Sequence, residues 1–154
     1  MSGQIRADIT GRDNDFRLGW AWVALCLALA LHVTDEALTD FLSVYNPTVI
    51  TIRQRLPFLP LPTFTFKVWL TGLILAIILL LALSPFVFRG VRWTGAAAYI
   101  FGIIMLANGL QHMVGSILMG KLMPGVYSSP LLVICSIYLL LKVRHRKRVA
   151  ESHV

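Results

Sequence analysis

The sequence predicts an all-α integral membrane protein: a four-helix bundle with a proline-rich interfacial segment between its first two helices. Three observations carry that prediction. Hydrophobic residues make up 57% of the 154, and mean hydropathy is +0.75, well outside the range of soluble domains. Apolar runs recur, with spans expected at about 18–45, 66–88, 93–119 and 130–143. Lys142, Arg144, Arg146, Lys147 and Arg148 cluster after the last run, leaving polar tails at 1–17 and 144–154. The length admits one small bundle and no separate soluble domain.

Residues 1–17 are polar and balance Arg6, Arg12 and Arg17 against Asp8, Asp13 and Asp15. Asn14 or Asp15 is a candidate cap for the helix that follows. The apolar run from Leu18 has the length of a secretory leader core, and Ala28-Leu29-Ala30 imitates a cleavage site. The preceding stretch is not clearly basic, however, and helix-compatible residues continue to Tyr45, so the run is expected to be retained as a span. Asn46-Pro47 is expected to break it. Pro57, Pro60 and Pro62 then forbid a long regular helix. That stretch mixes Val49, Ile50, Ile52, Leu56 and Phe58 with Arg53 and Arg55. An in-plane segment on the headgroups suits both residue types, and it is placed to form a lid over the end of the first helix.

The second span is almost purely aliphatic from Leu73 to Leu83 and is expected to face lipid. Pro85 and Arg89-Gly90-Val91-Arg92 end it. The third begins near Trp93, and Gly95, Ala96, Ala97, Ala98 and Gly102 allow close helix approach. Its second half turns polar, with Asn108, His112 and Ser116 one turn apart on one face and Gln111 nearby. Lys121 to Gly125 breaks the chain, and Ser129-Pro130 caps a fourth helix expected to run to about Val143. Because that helix is short for a full crossing, Pro124-Gly125 is expected partly within the membrane, against the polar end of the third helix.

The net charge of +7 is mostly a matter of placement. With four spans and both tails inside, ten of the 14 Lys and Arg residues fall on the cytoplasmic side, which favours N-in and C-in. The expected location is a bacterial inner membrane. A basic tail beside a span sets topology and touches anionic headgroups; with no recognition fold, nucleic acid is not an expected partner. Membrane lipid is, as partner or as substrate. Cys26 and Cys135 each lie inside an apolar run and read as small buried hydrophobes. There is no phosphate-binding loop, nucleophile elbow or paired-cysteine zinc motif.

The chemistry is concentrated in Leu31 to Asp40. His32, Asp35 and Glu36 fall at i, i+3 and i+4, with Asp40 about two turns beyond His32. Ionisable groups at membrane depth are costly and mark functional sites. At about 1.5 Å per residue, His32 and His112 reach similar depths on parallel helices, so their stripes are placed to meet.

Three motifs resemble the HXXEE-domain family of bacterial membrane proteins, which is described by His-x-x-Glu-Glu, Asn-x-x-x-His and Tyr-x-Pro-Gly. Here His32-Val33-Thr34-Asp35-Glu36 is similar to the first, with Asp35 for the first glutamate. Asn108-Gly109-Leu110-Gln111-His112 matches the second, and Leu122-Met123-Pro124-Gly125 the third with Leu122 for tyrosine. The resemblance implies a membrane protein and brings no established activity. Asp35 is one methylene shorter than glutamate, and Leu122 has no hydroxyl to hydrogen-bond.

Four readings of the cluster compete. His32, Glu36 and His112 form a metal-ligand set, with Asp35 or Asp40 as a fourth ligand or supporting acceptor, zinc being the first choice of ion. Such a centre suits hydrolysis of a lipid or lipid-linked substrate, with Glu36 or Asp35 as catalytic carboxylate. Asp40, Asn108, Gln111, Pro124 and Gly125 would support it. Adjacent carboxylates sharing a proton with His32 offer metal-free acid/base chemistry. Two histidines could ligate haem, although neighbouring carboxylates suit a porphyrin poorly. In the non-enzymatic reading the same groups form a structural, proton-sensing or transport network. Ser116, one turn past His112, is more at home packing than as a nucleophile.

Overall fold

A computed structural model describes residues 2–151, with side-chain environments from 11 to 148. Among the described residues the chain is all-helical: α1 (Ser2–Leu38), α2 (Phe41–Arg55), α3 (Phe66–Ala82), α4 (Ser84–Phe88), α5 (Thr94–Met119) and α6 (Ser129–Glu151). Three stretches are long and apolar enough to cross a membrane: Gly11–Leu38, Phe66–Phe88 and Thr94–Met119. The second combines α3 and α4 across a break at Leu83, where the backbone enters Ser84-Pro85.

The central element is α1. In its most apolar window 56% of the residues are buried, against 17% and 22% for the other two stretches. Leu18, Ala21, Trp22, Leu25, Cys26 and Val33 fill the core from α1, and Leu132, Leu139 and Val143 meet them from α6. Leu75, Leu79 and Ile100 point outward from α3 and α5.

Trp22 fixes how the helices run. Its Nε1 donates to the Leu80 carbonyl at 2.9 Å, and its ring lies 5.0 Å from that of Phe101. Further along both α1 and α5, His32 lies 4.9 Å from His112, so these two helices are parallel. Phe41, just beyond α1, stacks on Trp69 at the start of α3, so α3 is antiparallel to α1. At the far end Arg146 reaches Asp15 at 2.9 Å and donates to the Gly90 carbonyl at 2.6 Å. Asp15 of α1, the turn before α5 and the basic part of α6 therefore gather at one end of the bundle.

Four expectations need correction. The first helix ends at Leu38, not near Tyr45, because Asp40 adopts a left-handed conformation (φ 55°) that no helix continues through. Aspartate tolerates this region better than most residues. Pro47 then falls in the second turn of α2, where it removes one ladder bond without ending the helix. The carbonyl left without its ladder donor is that of Ser43, while the Thr48 and Thr51 hydroxyls bond back to the carbonyls of Val44 and Pro47. The regular segment thus reaches Arg55, and the irregular proline-rich part is 56–65. Asn46 ties that part back, donating to the Phe64 carbonyl at 2.9 Å and accepting from its N–H at 3.1 Å.

The remaining two corrections concern the tails. Neither Asn14 nor Asp15 caps a helix, since α1 already runs through them; Asp13 pairs with Arg17 one turn on, and Asp15 with Arg146. Past Val143, α6 continues to Glu151. Once nucleated, the helix extends through Lys142–Arg148 because Lys and Arg are good helix formers and their charges reach water from its surface.

Candidate metal centre

His32 and Glu36 lie one turn apart on α1, and both are buried. His112 arrives from α5, also buried, with its Nε2 at 3.1 Å from Glu36 Oε1. His32 Nε2 stands 3.6 Å from the same oxygen. One ligand atom from each of the three residues lies within 4.8 Å of the others. Ligands about 2.0–2.1 Å from one tetrahedral ion stand roughly 3.3 Å apart, and the two separations from Glu36 bracket that value. Both Nε2 atoms are buried with no hydrogen-bond partner among the described residues. Orphaned buried polar atoms are rare and call for an explanation. Two of them aimed at one carboxylate fit a cation.

The other nitrogen of His32 decides its tautomer. Ser128 Oγ lies 2.8 Å from Asp35 Oδ2 and 2.9 Å from His32 Nδ1. A carboxylate only accepts, so the hydroxyl donates to Asp35 and accepts the His32 Nδ1 proton. His32 Nε2 is left with its lone pair facing Glu36. Carboxylate or hydroxyl support behind a ligating histidine serves this purpose in metal sites.

Asp35 and Glu36 consequently face different partners. Adjacent helical side chains diverge, so Glu36 points to the imidazoles while Asp35 points to the start of α6. There Asp35 also accepts the Ser128 backbone N–H at 2.9 Å, at the positive end of the helix. The shorter aspartate serves this role without reaching the imidazole cluster. Asp40 is exposed in the turn beyond α1 and makes no side-chain contact with the cluster.

The segment after α5 closes the centre. Ser116 Oγ donates to the His112 carbonyl at 2.8 Å and accepts from Met123 N at 2.9 Å, folding the chain back. Gly125 N donates to Thr39 Oγ1 at 3.3 Å, and its carbonyl accepts from Ser129 Oγ at 2.7 Å. Gly125 has φ 81°, and a Cβ there would stand 2.9 Å from Glu36 Cγ, 3.0 Å from His32 Cε1 and 3.3 Å from His112 Cε1. The glycine is the roof of the site. Pro124 precedes it, half-buried. Gly109 lets α6 come in beside His112, where a Cβ would meet Val133 Cγ2 at 2.8 Å and the Ser129 carbonyl at 3.2 Å.

The family described as "protein of unknown function with HXXEE motif" matches residues 22–139. The chain belongs to the HXXEE family. The match takes in all three motifs, and in the fold they converge: His32 and Glu36 from the first, His112 from the second and Gly125 from the third. No curated protein and no solved structure matches the chain.

Beside the cluster is a groove of about 720 Å³, with α1 as its floor and α3 and α5 as its walls. Glu36, Asn108 and Gln111 lie at one end. Asn108 is half-buried and accepts from Gln111 Nε2 at 3.3 Å, so these two amides face the groove rather than the imidazoles. Ser128, Thr39 and Phe41, whose ring lies 5.8 Å from His112, were not among the candidates from sequence. Ser128 sits beside the Ser129-Pro130 helix start, and that adjacency is the one signal that could have found it.

Proposed function

We propose that this is an integral membrane protein whose His32, Glu36 and His112 hold one divalent ion, zinc first, and that the centre hydrolyses a lipid or lipid-linked substrate. The observation that carries the proposal is the pair of buried, unpartnered Nε2 atoms turned on one carboxylate oxygen. Two histidines and a glutamate are a ligand set of catalytic zinc sites, which keep a fourth position for substrate or water. A bound ion of this class supplies Lewis acidity to a carbonyl or phosphoryl oxygen. The chain's own residues do the rest: Ser128 and Asp35 hold the His32 proton on Nδ1, Gly125 keeps water from above, and Glu36 opens onto the groove. Imidazoles in edge contact favour a small ion over a porphyrin lying between them.

The topology we propose has four crossings with N-in and C-in in a bacterial inner membrane, α6 being the last. The gathering of Asp15, Gly90 and Arg146 at one end supports it, since most of the cations lie there. In this arrangement α2 and the proline-rich 56–65 lie along the opposite surface.

Metal analysis of detergent-purified protein tests the centre. Wild type exposed to zinc and desalted is expected to keep about one ion per chain, as a buried three-ligand set does, and His112→Ala is expected to keep none. Wild type without stoichiometric metal, or His112→Ala that retains it, overturns the reading. Ser128→Ala removes both the acceptor behind His32 and a donor to Asp35. Competition against a chelator is expected to show metal affinity lowered by about 10–100-fold, as for other changes behind a ligand. The non-enzymatic alternative has its own support, because the chain Asp35–Ser128–His32 ties α1 to α6 without any ion. It predicts that His112→Ala and wild type are equally metal-free and differ only in stability.

A further inference from the structure

The groove has a direction. Its polar end carries Glu36, Asn108 and Gln111, and its other end is apolar, closed by Leu80 and Phe101 where Trp22 joins them. Along α5 the lining runs from Phe101 to Gln111, which is about 15 Å at 1.5 Å per residue. That is half the roughly 30 Å hydrocarbon core of a bilayer, a length that suits one acyl chain. The open side lies between α3 and α5, two helices long and apolar enough to cross a membrane, and Ala76, Ile104 and Ala107 on its rims are exposed. A cleft open sideways between two such helices is filled from the bilayer.

We propose that this groove seats one acyl chain of a membrane phospholipid, entering laterally between α3 and α5, with the chain's ester linkage held at Glu36, Asn108 and Gln111. The match is one of chemistry as well as length. The deep end offers only apolar contacts to the methylenes, whereas the shallow end offers two side-chain amides able to donate to an ester carbonyl. Trp22 closes the apolar end, so the chain terminus stops against it and the polar linkage stops beside the His/Glu cluster. The proposal names the substrate class for the hydrolytic reading and rests on that reading for the chemistry, though not for the binding.

Full-length protein in phosphatidylcholine vesicles, doped with phosphatidylglycerol carrying a mid-chain diazirine, tests the groove directly. After photolysis, label is expected on the groove residues Leu73 and Ile104 in excess over the outward-facing Leu79 and Ile100. Ala76→Trp combined with Ala107→Trp fills the groove from its exposed rims without touching a ligand. It is expected to lower groove labelling about tenfold, the loss of one well-seated contact set, and to leave label on Leu79 and Ile100 and bound zinc unchanged. Groove labelling no greater than on the outer face, or insensitive to the double substitution, overturns the proposal, as does a crosslinked dimer with the groove unlabelled. Zinc is measured in the same samples: labelled groove without metal removes the metal centre alone, and metal without labelled groove removes the lipid seat alone.

Discussion

Gly125→Val is expected to abolish metal retention while leaving a helical, membrane-inserted protein. Two independent costs act at this position. The backbone at φ 81° disfavours any β-branched residue, which is a steric penalty of order 1–3 kcal/mol. The first added carbon already stands within 3.3 Å of Glu36, His32 and His112, and the two further methyls have nowhere to go but among them. Overpacking of this kind typically costs a further 1–3 kcal/mol or so, and here the yielding atoms are the ligand side chains themselves. Gly125→Ala, with one carbon and the same φ, is expected to weaken binding less. Zinc content and helicity by circular dichroism check the result, and a Gly125→Val protein with wild-type zinc content would mean the roof is not where the geometry puts it.

Trp22→Ala is expected to give the largest loss of stability of any single core substitution. Trp22 is buried, bonds the Leu80 carbonyl at 2.9 Å and packs on Phe101, so it joins α1 to both α3 and α5. Large-to-alanine changes of buried aromatics cost about 3–5 kcal/mol in soluble cores. Within a membrane the transfer contribution is smaller because lipid is itself apolar, and lost packing and the lost bond carry the effect. Trp22→Phe keeps most of the packing and forfeits only the indole bond, an expected cost of about 0.5–1.5 kcal/mol. Thermal unfolding in detergent should therefore order the proteins wild type, Trp22→Phe, Trp22→Ala, with the larger gap at the second step.

Much of this arrangement could be read from the residues, and the boundary follows the range of the interactions. Apolar runs located the long helices because hydropathy is a local property, and the i, i+4 spacing of His32 and Glu36 put both on one face. Depth along two parallel helices was enough to pair them with His112. The break after α1 was misplaced because proline is a conspicuous breaker whereas a left-handed aspartate has no sequence signature. Spacing leaves Asp35 as either a fourth ligand or a supporting acceptor, and one residue of helical rotation sends it to a different neighbour from Glu36. That neighbour, Ser128, lies 93 residues away, and no local pattern could supply it. The groove was illegible for a similar reason: it is defined by where α3 and α5 fail to touch.

The same long separation has a consequence for how the protein is made. His32 and Glu36 come early in chain order, whereas the hydroxyl that orients His32 is 96 residues later and the glycine that covers both comes just before it. Since chains emerge N-terminus first, the early helix must wait with its ionisable face uncovered until α5 and then α6 dock. The centre is thus a closing step of assembly. An ion captured there would latch α5 to α1, and a chain stalled before Gly125 would have both histidines in place and nothing to shut them in.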